Sequence, residues 1–282
     1  MFETFAAHED VGWFSNWFDR CPKAPLISVL SRLADFEWFR GHKKQDFQKT
    51  PTRRFQVIPE ETYVIWEVYG RKSFTSDYLL DVEATDEEKQ RLRGLVAKVL
   101  TYHGKKRFAN KLTGPLRISY LNSVFPDALF VHIIRDGRAV VHSLMHVDFW
   151  KEKSGFAKPF WDNGLSEKYL CEWEKYDRSP LALAAVQWRN VIELGRKESD
   201  RLSRDQYLEI RYEDFVLDPG DATQKLNAFC SLSPSETQRQ YLATQVGVKD
   251  MNTKYLEAFK RDELVMLNDI MKDLLREFDY PV

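Results

Sequence analysis

Residues 125–143 read FPDALFVHIIRDGRAVVHS, and this stretch decides the fold. Pro126 closes whatever precedes it, and the run from Ala128 to Ile134 is apolar with no polar alternation, the pattern of a strand buried on both faces. From Gly137 the spacing of Ala139, Val140, Ser143 and Leu144 changes to that of a helix. A buried strand turning directly into a helix is the building unit of a parallel α/β sheet, and such sheets bind ligands beyond the carboxyl ends of their strands. Arg135 stands at that edge. A phosphate placed there would meet backbone N–H groups and the helix dipole, with a forked donor from Arg135 and a hydroxyl from Ser143. The local physics equally allows Arg135 to pair with Asp136 and Ser143 to be a small helix-packing residue.

The flanking segments repeat the alternation of strand and helix. Thr85-Asp-Glu-Glu88 forms a capping box ahead of Leu92, Leu95, Val96 and Val99 at helical spacing, with Gly104 as the stop. Arg107 to Lys111 predicts a strand, and Thr113-Gly-Pro115 opens a helix bearing Ile118 and Leu121. Ser179-Pro180 starts a long amphipathic helix, Tyr207 to Arg211 is a further strand, Asp218-Pro219 starts another helix, and Asp262 to Phe278 closes the chain. Together these predict a parallel sheet with helices on both faces. No repeat or linker interrupts the sequence, so residues 1–282 are expected to form one domain.

Composition narrows the partners. The 42 Lys and Arg against 43 Asp and Glu leave no global field for nucleic acid or an anionic membrane, so an anion site must be local. Cys21, Cys171 and Cys230 are far apart and odd in number, which argues against a disulfide framework or a zinc site. A reducing, cytoplasmic setting is expected. The N-terminus carries Glu3, Glu9 and Asp10 where a secretion signal would carry positive charge, and no apolar run approaches the roughly 18 residues of a membrane span.

The string IIRDGRAVVHS resembles the segment with which sulfotransferases bind the 3′-phosphate of 3′-phosphoadenosine 5′-phosphosulfate (PAPS). Three more blocks follow the order of that family: NKLTGPLRISYLNSVFPDA, ALAAVQWRNVIELGR and YLEIRYEDFVLDPGDATQKLNAF. The resemblance spans roughly residues 100 to 280 and is nearest the bacterial branch with an R-D-G-R-A-V core. It implies a P-loop NTPase-like fold and transfer of a sulfuryl group from PAPS to an acceptor hydroxyl or amine, leaving 3′-phosphoadenosine 5′-phosphate (PAP). By position it also implies that Arg135 and Ser143 hold the 3′-phosphate, that Tyr212 lies against the adenine, and that Lys111 stands beside the transferring group. A packing tyrosine and a surface lysine are the plain alternatives.

For the general base, the cytosolic branch uses a histidine where this chain has Thr113, whereas the carbohydrate and protein-tyrosine branches use a glutamate. Glu60 and Glu61 in VIPEETYVIW are the candidates here, with Glu60 preferred over Glu61 and over His103. No metal is required by these residues.

The family opens with a strand and an R-S-G-T-T-type loop that holds the 5′-phosphosulfate, and this sequence has no such string. Its opening MFETFAAHEDVGWFSNW resembles the helix after that loop, so the expectation is a start at an internal methionine; the alternative is a member without the loop. The family's C-terminal Arg-Lys-Gly contact is also absent from VGVKDMNTKY. A PAP- or PAPS-binding pseudoenzyme is therefore the rival reading. A nucleotide kinase fits less well, since G-x-x-x-x-G-K-[ST] does not occur. Trp13, Trp17, Trp38, Trp66, Trp150 and Trp161 are read either as core or as lining for a small-molecule, carbohydrate or peptide acceptor, and residues 148–179 either as a lid or as a packed excursion.

Overall fold

The computed structural model describes residues 1–36, 39, 56–148, 158–244 and 250–282. Trp38, Trp150 and residues 149–157 of the lid segment lie outside them. In chain order the elements are α1 (Phe2–Ala6), β1 (Val11–Gly12), α2 (Asn16–Arg20), a 3₁₀ helix (Pro25–Asp35), α3 (Tyr63–Tyr69), α4 (Asp86–His103), β2 (Arg107–Phe108), α5 (Ile118–Val124) and β3 (Phe130–Ile134). Then follow α6 (Gly137–Leu144), α7 (Glu167–Glu174), α8 (Pro180–Ser199), β4 (Tyr207–Arg211), α9 (Tyr212–Leu217), α10 (Pro219–Phe229), α11 (Glu236–Thr244), α12 (Lys254–Ala258) and α13 (Arg261–Glu277).

Among the described residues the strands form two parallel pairs, β1 with β2 and β3 with β4. In the second pair Phe130 faces Tyr207 and Ile134 faces Arg211, so both strands end level at the same edge. One face of this pair is covered by a core built on α8 and α13, in which Ile134, Val141, Trp188, Leu267 and Met271 are buried. Val131 and Ile210 lean the other way, against a cluster with Phe5 and Leu226. A third cluster joins α4 to Phe14, Trp66, Phe74 and Tyr120 and reaches Phe108 of β2. Helices thus cover both faces, as the uninterrupted apolar run of β3 requires.

The helix signals act as expected. Thr85 and Glu88 form the reciprocal capping box, and Gly104 ends α4 at φ +74°. Asp218 accepts from Asp221 N to cap α10. Two elements differ from the sequence reading. The strand after Arg107 is two residues long, although Ala109 N still bonds Gly12 O at 2.8 Å. The helix near Pro115 starts only at Ile118, because residues 113–117 form a loop with Gly114 at φ +84° and Arg117 at φ +53°.

Candidate functional site

Arg135 leaves the end of β3 half-buried. Its Nε donates to Asn252 Oδ1 and its Nη2 to Met251 O, each at 2.7 Å, and its guanidinium lies 4.7 Å from the centre of the Tyr212 ring. Asp136 is not its partner. That carboxylate takes Arg138 instead, with Nη2 at 2.8 Å and Nε at 3.0 Å, and also caps α6 by accepting from Arg138 N at 2.9 Å. One of the first N–H groups of α6 is therefore already engaged by a buried carboxylate, whose charge opposes a phosphate at the helix end.

Ser143 lies in the last turn of α6, exposed to solvent. Its neighbour His142 is held below the ordinary imidazole range, first by burial and then by the positive charges of His146, Lys254 and Arg135. Several cationic groups thus gather on the side of α6 that faces α12, without a carboxylate among the causes acting on His142. Such a gathering suits an anion.

Lys111 follows β2. Its ammonium forms an ion pair with Glu61, whose other oxygen accepts from Thr113 Oγ1 at 3.0 Å. Asn110 Nδ2 donates to Glu61 O at 3.1 Å, and the Tyr63 hydroxyl accepts from Thr113 N at 2.6 Å and donates to Thr113 O at 2.9 Å. Burial raises the Tyr63 phenol to about 12, with Glu61 adding to the shift, so this tyrosine stays protonated as a fixed link between α3 and the loop after Lys111. Glu60 precedes Glu61 in the same segment. Its backbone N–H bonds Phe14 O at 2.8 Å and its carboxylate accepts from Glu61 N at 3.2 Å. His103 packs edge-on against Trp13, with ring centroids 4.9 Å apart, and is buried away from this cluster.

Lys111, Thr113, Gly114 and Arg135 line one cavity of about 710 Å³ between β2 and β3. The structure thus brings Lys111 and Arg135 to a shared space, seats Tyr212 on Arg135, and attaches Glu61 to Lys111. Tyr63 and Asn252 were not legible in the sequence, since neither sits in a recognisable motif. Trp66 and Trp161 are buried and also line the cavity, while Trp13 is core. Of residues 158–179, Phe160, Trp161, Tyr169 and Trp173 are packed inside. Among the described residues no group of three or more His, Cys, Asp or Glu is placed to hold a metal, and no helix is long and apolar enough to cross a membrane.

Residues 4–236 match the profile of the sulfotransferase family. The chain belongs to that family. A solved sulfotransferase, STF9 from Mycobacterium avium, superposes with a TM-score of 0.60 at 16% identity, covering 99% of this chain and 73% of that one. The chain therefore has the P-loop NTPase-like α/β fold of sulfotransferases. It is 30% identical over 142 residues to the omega-hydroxy-beta-dihydromenaquinone-9 sulfotransferase Stf3 of Mycobacterium tuberculosis, covering 49% of this chain and 32% of that protein. It is 24% identical over 176 residues to protein-tyrosine sulfotransferase 2 of Gallus gallus, covering 61% of this chain and 41% of that protein. The matches span less than half the length of these two relatives. As a sulfotransferase-family chain, it carries the Arg135 and Ser143 pair inside the matched region.

Proposed function

We propose that this chain moves a sulfuryl group from PAPS to an acceptor hydroxyl or amine and releases PAP. The observation that carries the reading is that Lys111, which is ion-paired to Glu61, lines the same cavity as Arg135, each cation following a strand end. PAPS, when bound, supplies the activated sulfuryl group and takes the leaving charge onto its phosphate. Arg135 and Ser143 hold the 3′-phosphate, and Tyr212 receives the adenine. Lys111 offsets charge as it grows on the sulfuryl and leaving oxygens. Glu61 accepts the proton of the attacking hydroxyl, because its carboxylate is held beside Lys111 by the ion pair and by Thr113. Thr113 and Tyr63 keep that carboxylate and its loop in register.

The acceptor class is open to a tyrosine-bearing peptide, a sugar or a lipophilic alcohol, and the reaction is expected in a reducing compartment, where the three free thiols persist. The test is PAP release from PAPS with a tyrosyl peptide, an oligosaccharide and a long-chain alcohol as acceptors. Acceptor-dependent release that is lost in Lys111→Ala is expected. Tight PAP binding with no PAPS consumed by any acceptor would instead support the binding-protein reading.

A further inference from the structure

The side fork of the Arg135 guanidinium, formed by Nε and Nη2, is spent inside the protein, on Asn252 Oδ1 and Met251 O at 2.7 Å each. A guanidinium also has an end fork, formed by Nη1 and the second N–H of Nη2, and that fork is what remains for a planar two-point contact with an anion. Where the end fork points is therefore decided by Asn252 and Met251.

The Asn252 amide has one possible orientation. Its oxygen accepts from Arg135 Nε and its Nδ2 donates to Glu213 Oε1. With oxygen and nitrogen exchanged, N–H would meet N–H at Arg135 and oxygen would meet oxygen at Glu213. Glu213 is itself fixed. The same Oε1 accepts from Asp136 N at 3.2 Å, and Oε2 accepts from the Tyr280 hydroxyl at 2.7 Å. Burial, and then the hydrogen bond to Glu213, hold the Tyr280 phenol above its ordinary range, so it remains a donor. Asp136 follows Arg135 in the chain, so one carboxylate secures the base of the Arg135 side chain directly and its tip through Asn252. The rotamer freedom that an arginine would lose on meeting an anion is thus already lost in the folded chain. The backbone of Met251 also bonds the Tyr212 phenol, whose ring lies against the same guanidinium.

We propose that Asn252, oriented by Glu213, is a positioning residue for donor recognition: it presents the end fork of Arg135 to the phosphate and sets the preference for a nucleotide with a 3′-phosphate over one without it. Asn252 acts through Arg135 and not on the nucleotide, so this inference rests on the reading of the 3′-phosphate at Arg135.

Calorimetric affinities for PAP and for adenosine 5′-phosphate test it in the wild-type chain, Asn252→Leu, Asn252→Asp and the double exchange Asn252→Asp with Glu213→Gln, with melting recorded for each. Asn252→Leu keeps the volume and removes both hydrogen bonds, and Asn252→Asp keeps the acceptor for Arg135 but sets two carboxylates together. The exchange restores a donor facing an acceptor, with amide and carboxylate swapped. The preference for PAP is expected to fall about tenfold in each single variant and to recover about threefold or more in the exchange over Asn252→Asp, while affinity for adenosine 5′-phosphate stays within about twofold throughout. A merely structural role would lower melting, or both affinities together, and leave their ratio unmoved; that result overturns the proposal, as does an exchange no better than Asn252→Asp. If Asn252→Leu does not fold, Asn252→Asp against the exchange decides alone. A wild type with no preference for PAP overturns the reading of Arg135 itself, whereas a preference that survives every Asn252 variant overturns only the role of Asn252.

Discussion

The residues that matter divide by whether the charge they meet changes during the reaction. On the proposed function, Arg135 would face a phosphate that is the same in ground and transition states, whereas Lys111 would face oxygens whose charge grows. Differential binding separates the two. Lys111→Ala is expected to lower kcat on the order of 10²-fold with little effect on PAP affinity. Arg135→Ala is expected to cost about 2 to 4 kcal/mol of PAP affinity, read by calorimetry. Glu61→Gln should lower kcat by about 10²-fold or more while Glu60→Gln leaves it within about twofold; the reverse ranking would return the base to Glu60. The pairing of Glu61 with Lys111 and Thr113 was not available from the sequence, because it joins residues about fifty positions apart.

At the scale of the element, the loop from Lys111 to Arg117 sets the geometry of the site. Gly114 has φ +84°, and a Cβ built there would lie 2.2 Å from the Trp161 ring. Gly114→Ala therefore combines backbone strain with a clash, and is expected to destabilise the fold by about 1 to 3 kcal/mol and to lower kcat by displacing Lys111. Unchanged melting and turnover would show that the loop does not hold the site. The same loop explains one difference between sequence and structure. Thr113-Gly-Pro115 carries the letters of a helix start, yet tertiary contact with Trp161 and the positive φ values delay α5 to Ile118. Where an element carries its own instructions, as with the Thr85 capping box or the β3 run into α6, the sequence was sufficient. The engagement of the α6 N-terminus by Asp136 was not legible, because Arg138 competes with Arg135 for that carboxylate only in three dimensions.

α4 also contributes a pH dependence. Burial, with Lys105 nearby, holds the His103 imidazole down to about 4 in the folded chain. An unfolded histidine titrates near 6.5. Above that value both states are neutral and His103 contributes nothing. As pH falls from about 6.5 to about 4, the unfolded chain takes up a proton that the folded chain refuses, so stability falls by up to about 1.4 kcal/mol per pH unit. His103→Gln should flatten this acid limb in melts followed between pH 7 and pH 4. An equally steep limb in the variant would remove His103 as its source.

For the whole molecule, two half-sheets are held apart by an apolar cavity whose functional end carries Lys111 and Arg135. On the proposed function, that architecture would separate donor recognition, at Arg135 and its partners Met251 and Asn252, from chemistry at Lys111 and Glu61 on the β2 side. The proposed function stands or falls on the reading of a 3′-phosphate at Arg135. The most direct measurement is calorimetric affinity for PAP against adenosine 5′-phosphate, which lacks that group, in the wild-type chain and in Arg135→Ala. The wild type is expected to prefer PAP by about 30-fold or more, consistent with a charge-assisted contact, and the preference is expected to collapse in the variant. Equal affinity of the wild type for the two nucleotides, or a preference that survives in Arg135→Ala, would contradict it.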